Sequence, residues 1–281
     1  MNSQLDFEAV EKPKPALERL KGRVALITGV ARPRGVGAAI ARLFAREGAM
    51  VAVTDLALAV LDRAAEIAAQ GGQVKPFEVD LTRFEAVENM VEEIIAGWGR
   101  LDILVNVAGK SVPPRPSFAD MSLEYWDMVM DRNLRTAVHC CKAVLPWMRR
   151  QNYGKIVNLG STTGLITVYR HCTAYAASKA ALSAFGKALA LEIGEFNINV
   201  NTILPSDIDT GDVPWKPGDP PRDLGLYDRR LSAPIPRPVR SEEVAELALF
   251  LAGDEARAIT GAEYLIDVGV TTVEGLPTGP Q

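Results

Sequence analysis

The chain has 281 residues, of which 48% are hydrophobic and 23% charged, and a net charge of −4. That is enough apolar material for a substantial core, and the slight acidity gives no electrostatic reason to expect nucleic acid or an anionic membrane as partner. The three cysteines (Cys140, Cys141, Cys172) and two histidines (His139, His171) show no metal-ligand spacing, so no metal site is expected, and an odd cysteine count points to reduced thiols in the cytoplasm.

Met1 to Lys21 is charged, carries Pro13 and Pro15, and lacks an apolar core segment, so residues 1–20 read as a flexible arm rather than a secretory signal. Leu17 and Leu20 are the arm's candidates for packing on the core or on a neighbouring subunit. No run approaches the roughly 18 apolar residues of a membrane span.

Arg23 to Thr28 is a short apolar run ending at Gly29, as a buried strand would be. Val36, Ile40, Leu43 and Phe44 then recur at helical spacing until Gly48. Met50 to Thr54 is a second strand ending at Asp55, Leu58 to Gln70 a helix closed by two glycines, and Val74 to Val79 a third strand ending at Asp80. The alternation continues with a helix over about 85–97, a strand at Ile103 to Val107, helical pattern from Tyr125 to Arg149, and a strand at Lys155 to Leu159. A helix from about Tyr175 to Glu192, a strand at Asn199 to Leu204, a helix at Glu242 to Leu251 and a last strand at Tyr264 to Val268 complete the pattern. Strands that are apolar throughout and alternate with helices predict a doubly wound α/β fold, a parallel seven-stranded sheet covered by helices on both faces. No linker divides the chain. The expectation is one domain over 21–270, a substrate loop at about 207–240 and a tail at 271–281.

Gly29, Gly35 and Gly37 lie between the first strand and the first helix. Glycines there let the backbone turn sharply and approach a pyrophosphate, which a helix N-terminus stabilises through its free N–H groups and dipole. Asp55 ends the next strand 18 residues after Gly37, where a carboxylate would accept hydrogen bonds from the adenosine ribose. The competing reading is an ordinary strand–loop–helix turn with a solvated aspartate. Asp55 favours NAD, since it would repel the 2′-phosphate of NADP; Arg32 and Arg34 argue the other way if the loop folds inward. Asp80 either hydrogen-bonds the adenine edge or caps the next helix, and Asn106-Val-Ala-Gly109 puts small residues beside the adenine-side ribose. On a helix, Tyr175 and Lys179 sit at i and i+4 on one face, and a neighbouring ammonium favours a phenolate. Ser161, fourteen residues earlier, offers a hydroxyl to a substrate oxygen.

With these motifs in order, the chain resembles the short-chain dehydrogenase/reductase family from about Lys21 to Val270. The resemblance rests on the glycine loop, Asp55, Asp80-Leu81-Thr82, Asn106 to Gly109, Asn133, Ile156 to Ser161, Tyr175 with Lys179, Pro205 to Thr210, and Ile259-Thr260-Gly261. It implies a Rossmann-type oxidoreductase that moves hydride between NAD and a secondary alcohol or ketone, with an NADP-dependent 3-oxoacyl-type reductase or a non-catalytic dinucleotide sensor as alternatives. The implied catalytic set is Asn133, Ser161, Tyr175 and Lys179: Tyr175 as acid or base, Lys179 lowering its pKa and holding the nicotinamide ribose, Ser161 orienting the substrate oxygen, and Asn133, in a helix, holding a water. Implied cofactor contacts are Gly29, Arg34, Gly35, Val36, Gly37, Asp55, Asp80, Leu81, Asn106, Ala108, Gly109, Tyr175, Lys179, Pro205, Ile208 and Thr210. Substrate contacts are expected at Ser161, Tyr169 and Tyr175.

Three departures stand out. The glycine loop is two residues longer than the family's T-G-x-x-x-G-x-G, and Arg32-Pro33 is expected to bulge outward. Pro-Gly after the sixth strand is Pro205-Ser206, and Asp-Gly-Gly near the end is Asp267-Val268-Gly269. The 207–240 segment holds seven prolines together with Trp215, Leu224, Leu226 and Tyr227, a proline-stiffened lid suited to a medium-sized, partly apolar substrate that is cyclic or aromatic. Val168 to His171 would add pocket wall. Arg115 or Arg170 could pair with a substrate carboxylate, although a solvated surface role is the simpler reading. The alanines between 174 and 190 allow close helix approach, and the resemblance implies a homotetramer or homodimer.

Overall fold

The run VALIT forms strand β1, Val24–Thr28, and every one of its residues is buried. In the computed structural model, which describes residues 16–113, 115–211 and 233–272, this strand lies near the centre of a seven-stranded parallel sheet. The other sheet strands are β2 (Met50–Asp55), β3 (Val74–Glu78), β4 (Ile103–Asn106), β5 (Gly154–Leu159), β6 (Ile198–Pro205) and β9 (Glu263–Ile266). Their order is β3-β2-β1-β4-β5-β6-β9, with β1 pairing β2 from Val24↔Met50 to Thr28↔Thr54 and β4 from Ala25↔Ile103 to Ile27↔Val105. The order reverses between β1 and β4. In an open α/β sheet such a switch point opens a crevice at the carboxyl ends of the strands, where ligands bind.

The helices are α1 (Val36–Arg46), α2 (Val60–Ala69), α3 (Phe84–Trp98), α4 (Leu123–Met130), α5 (Thr136–Gln151), α6 (Thr173–Ile193) and α7 (Ser241–Ala252). Successive strand side chains alternate between faces, so Ala25 and Ile27 pack with Ile40, Phe44 and Ala248, while Val24 and Leu26 pack with Met90, Ile94 and Val144. Two apolar layers therefore sandwich the sheet, which is why its central strands carry no polar alternation. Leu20 is buried at 1% exposure and Leu17 is exposed at 70%, so one of the two candidate leucines packs on the core. No helix among the described residues is long and apolar enough to cross a membrane.

Two differences from the expected pattern concern the site. The stretch expected as helix from Tyr125 to Arg149 starts at Leu123, where Ser122 Oγ accepts from Tyr125 N at 3.1 Å, and widens into a π-turn at Asp131–Arg135 before α5. The wide turn is held by side chains: Asn133 Nδ2 donates to Val129 O at 2.9 Å and Thr136 Oγ1 to Arg132 O at 3.2 Å. Periodicity over 25 residues cannot show a single widened turn, because the apolar stripe resumes one residue out of phase. The second difference is a two-residue parallel ladder after β6, formed by β7 (Ile208–Asp209) and β8 (Val239–Arg240). These short strands bracket the expected lid, whose Trp215, Leu224, Leu226 and Tyr227 lie outside the described residues.

Candidate active site

The glycine loop turns tightly between β1 and α1. Gly29 has φ +74°, and a Cβ there would stand 2.9 Å from the Ala108 backbone; a Cβ on Gly37 would stand 2.3 Å from Gly29 O. No side chain fits at either place, so the cradle is made of backbone. Gly35 is the N-cap of α1, and the amides of Val36, Gly37 and Ala38 occupy the first turn, whose donors have no intrahelical acceptor. Such a turn is an anion seat. Arg32 and Pro33 are exposed, as an outward bulge requires, and Arg42 Nη1 holds Pro33 O at 3.0 Å.

Asp55 ends β2 beside the glycine loop. Its Oδ2 accepts from Ala31 N at 2.9 Å and its Oδ1 from Ala57 N at 3.1 Å, which fixes the carboxylate and leaves each oxygen a further lone pair for a ribose hydroxyl. The two arginines turn away from it. Arg34 Nη2 donates to Asp209 Oδ2 at 3.1 Å and Arg32 Nη1 reaches Thr210 Oγ1 at 3.5 Å, so neither stands where a 2′-phosphate would sit. Asp80 Oδ1 accepts from Thr82 N at 3.0 Å and Thr82 Oγ1 at 2.7 Å, which holds its carboxyl below the usual range. It closes its own turn, while the N-cap of α3 is Arg83. Leu81 is buried beneath that turn.

Asn106 is 4% exposed and its Nδ2 donates to Asn158 Oδ1 at 2.9 Å, so its amide joins β4 to β5 inside the sheet and any contact with the crevice would come from its backbone. Thr28, which the sequence reading passed over, does the local positioning: its Oγ1 accepts from Val107 N and Ala108 N, both at 2.9 Å. Gly109 follows with φ +143°, and a Cβ there would lie 2.7 Å from Asn133 Oδ1. On the far side of the crevice, Pro205 O accepts from Thr162 N at 3.0 Å, and Ile208 and Thr210 are half-buried.

Ser161, Tyr175 and Lys179 meet at the carboxyl end of β5. The Ser161 hydroxyl accepts from Thr163 N at 3.1 Å and lies near enough to the Tyr175 phenol to favour its ionised form. Lys179 is 3% exposed; its Nζ donates to Leu159 O at 2.7 Å and lies 5.9 Å from the centre of the Tyr175 ring. The loop carrying Ser161 can approach α6 because Gly164 has φ +95° and no side chain, where a Cβ would meet Ala176 O at 2.2 Å. Asn133, fully buried in the π-turn, donates to Lys110 O at 3.1 Å as well as to Val129 O, and its Oδ1 accepts from no group among the described residues. π-turns of this kind recur at functional sites.

The expected lowering of the Tyr175 pKa by Lys179 is not what the structure shows. Burial pushes the phenol up to about 12, with the nearby Tyr169 adding to the rise and the Ser161 hydroxyl and Arg115 opposing it. The same burial pushes Lys179 down to about 8. Desolvation disfavours both charged forms, and at this separation it outweighs the attraction between them. Arg115 is half-buried, with its guanidinium 5.8 Å over the ring of Tyr169 and its charge felt at Tyr175. Tyr169 is itself half-buried there, and Arg170 is exposed.

A sequence profile described as Enoyl-(Acyl carrier protein) reductase matches residues 29–271. The 3-oxoacyl-[acyl-carrier-protein] reductase FabG of Thermotoga maritima is 36% identical over 90% of this chain and 99% of its own length. The NAD-dependent glycerol dehydrogenase of Listeria innocua is 37% identical over 89% of this chain and 94% of its own. Among solved structures, a short-chain dehydrogenase/reductase from Burkholderia xenovorans superposes with a TM-score of 0.79 at 37% identity, covering 91% of this chain and 98% of that one.

The chain belongs to the short-chain dehydrogenase/reductase family. It is therefore an oxidoreductase of a family that uses nicotinamide dinucleotides, and its backbone cradle and Asp55 fit that group. Against the short-chain dehydrogenase/reductase pattern, Ser206 sits where glycine is usual and its amide donates to Ile266 O at 3.2 Å. Val268 also replaces a glycine. It holds φ +52°, a conformation that costs a β-branched residue roughly 1–2 kcal/mol. Asp267 braces this strained turn by accepting from Gly269 N at 3.0 Å, Thr271 N at 2.9 Å and Thr271 Oγ1 at 2.6 Å.

Proposed function

We propose that this short-chain dehydrogenase/reductase is an NAD-dependent dehydrogenase and ketone reductase acting on a CH–OH group of a medium-sized, partly apolar molecule. The observation that carries the reading is the Ser161–Tyr175 hydroxyl pair beside the buried Lys179, at the end of β5 and across the crevice from the glycine cradle. The fixed Asp55 carboxylate and the engagement of Arg32 and Arg34 with Thr210 and Asp209 support NAD over NADP, as does the relationship to an NAD-dependent glycerol dehydrogenase.

The nicotinamide ring, when bound, supplies or accepts the hydride. Ser161 donates to the substrate oxygen and holds it against the Tyr175 hydroxyl. Tyr175, un-ionised at neutral pH because burial raises its pKa, gives its proton to the oxygen of a ketone; in the reverse direction it must first pass its own proton on, and the resulting phenolate takes the alcohol proton. Lys179, with a pKa near 8, lies close enough to stabilise the phenolate that forms on reduction and to exchange protons at working pH. The free Oδ1 of Asn133 is the acceptor that would hold a relay water. Tyr169 and Arg115 stand nearest the reacting oxygen, and further substrate contacts are assigned to the loop expected at about 207–240, of which residues 212–232 lie outside the described residues. A reducing, cytoplasmic setting and a homotetramer complete the proposal; the three unpaired, buried cysteines support the former.

Secondary alcohols and ketones of graded size, assayed through nicotinamide absorbance with NADH and NADPH in parallel, test the reading. Turnover with NADH that disappears in Tyr175→Phe while NADH binding persists is the expected result. Undiminished turnover in Tyr175→Phe would sink the proposed proton transfer. Tighter binding of NADPH than NADH would sink the cofactor choice, and a 30.4 kDa species in light scattering would sink the tetramer.

A further inference from the structure

The two extra residues of the glycine loop lead to a contact that holding a dinucleotide does not by itself require. Arg34 and Asp209 are 175 residues apart in sequence, yet Nη2 and Oδ2 are 3.1 Å apart, with Asp209 only 8% exposed. The loop is pinned on both sides of this ion pair. Ser241 Oγ, at the start of α7, donates to Arg34 O at 2.8 Å, and Arg42 holds Pro33 O at 3.0 Å. Arg32 adds a longer contact to Thr210 Oγ1 at 3.5 Å. Asp209 is fixed in turn, because it belongs to β7 and pairs with Arg240 of β8.

The direction of the contact matters. β1, which feeds the glycine loop, and β6, which feeds Asp209, are separated in the sheet by β4 and β5, three strand spacings or about 14 Å. The loop's arginines thus reach toward the β6 side of the crevice, whereas Asp55 lies on the β2 side. A guanidinium immediately before Gly35 is well placed to serve a 2′-phosphate at the end of β2 if it is free to swing. Here a largely buried carboxylate holds it on the opposite side.

We propose that Asp209 is a specificity-determining residue for the cofactor: by clasping Arg34 it withholds the loop's cation from the 2′-phosphate position and ties the pyrophosphate cradle to the Ile208–Thr210 segment. This rests on the dinucleotide reading above and extends it to residues outside the adenosine site. NAD preference then has two sources, repulsion by Asp55 and sequestration of Arg34.

The test is equilibrium binding of NADH and NADPH, followed by nicotinamide fluorescence, to the full chain and to Asp209→Asn, Asp209→Glu, Arg34→Gln and the Asp209→Asn/Arg34→Gln double variant. Release of a half-exposed ion pair should improve the NADPH-to-NADH affinity ratio of Asp209→Asn by roughly fivefold. Asp209→Glu should keep the wild-type ratio, and the double variant should lose the gain, since the freed cation is gone. A purely structural role for Asp209 would weaken both dinucleotides equally. An unchanged ratio in Asp209→Asn, or a gain that survives in the double variant, overturns the clasp. If Asp209→Asn does not fold, Asp209→Ser reads the same ratio. A wild-type chain that binds neither dinucleotide overturns the underlying reading instead.

Discussion

A buried lysine stands against each end of strand β5, Lys155 from the strand itself and Lys179 from α6, and the two are held differently. Lys155, at its start, is 2% exposed and donates to Asn199 Oδ1 at 2.6 Å, and the charge of Asp254 counters part of the burial that lowers its pKa. Around it, Arg23 pairs with Asp254 at 3.0 Å, and Arg100 with Asp102 at 2.6 Å. Lys179, against the other end, is more deeply buried; its Nζ donates to the Leu159 carbonyl, and burial pushes it down to about 8. Both side chains are shielded from solvent, but Lys155 lies nearer the surface among charged neighbours and Lys179 deeper in the fold, which produces two kinds of lysine. One is braced by an amide and counter-charges as part of the scaffold. The other is left poised to change protonation near neutral pH, as perturbed groups at functional sites often are.

The sharpest way to break this contrast is to replace each lysine by methionine. Lys179→Met should cost roughly 10²-fold or more in turnover, the size of a lost proton-transfer contribution, with stability in urea unchanged or higher, because a desolvated charge is removed. Loss of stability without loss of turnover would reverse the assignment. Lys155→Met should do the opposite, keeping turnover within a few-fold but losing about 1–3 kcal/mol as Asn199 Oδ1 is left buried without a donor.

Stability against pH sharpens the same point. Lys179 titrates near 8 in the folded chain against 10.5 when free, so between those values the unfolded chain holds a proton that the folded chain has released. Its contribution to stability therefore rises as pH passes from about 8 toward 10.5, and its burial penalty is fully present below 8. Tyr175, raised from 10.0 to about 12, works the other way above 10, where the unfolded phenol ionises first. The unfolding free energy of the wild type, read from urea titrations, should rise between pH 8 and 10 relative to Lys179→Met, by on the order of 3 kcal/mol at most. A constant gap would show that the ammonium is not desolvated. The smallest effect is expected at Tyr153→Phe, which deletes a hydrogen bond to the exposed Asp254 at 2.9 Å and should cost about 0.5–1.5 kcal/mol.

The sheet was legible because its strands are apolar on both faces, and a run such as VALIT has no other stable use in a parallel α/β chain. Gly29, Gly37 and Asp55 were legible for a related reason: backbone approach and a strand-end carboxylate depend on residue type and spacing, both written in the chain. What spacing could not reveal was direction. Asn106 lies within a motif at the crevice but turns its amide into the sheet, Arg34 lies in a phosphate loop but points to Asp209, and Arg115 packs on Tyr169. Each outcome depends on partners more than thirty residues away, which no local pattern encodes. The sign of the Tyr175 shift was missed for the same reason, since burial is a property of the assembled fold.

The π-turn at Asp131–Arg135 also sets the phase of everything after it. A wide turn is an α-helix with one residue added, and each α-helical residue advances about 100° around the axis. Removing one residue between 131 and 135 would let α4 and α5 run on as an unbroken helix but rotate α5 by that angle, turning Cys140, Val144 and Met148 off the sheet. This segment is thus a length gauge, and single-residue deletions in it should be far less tolerated than deletions in the exposed Arg32-Pro33 bulge.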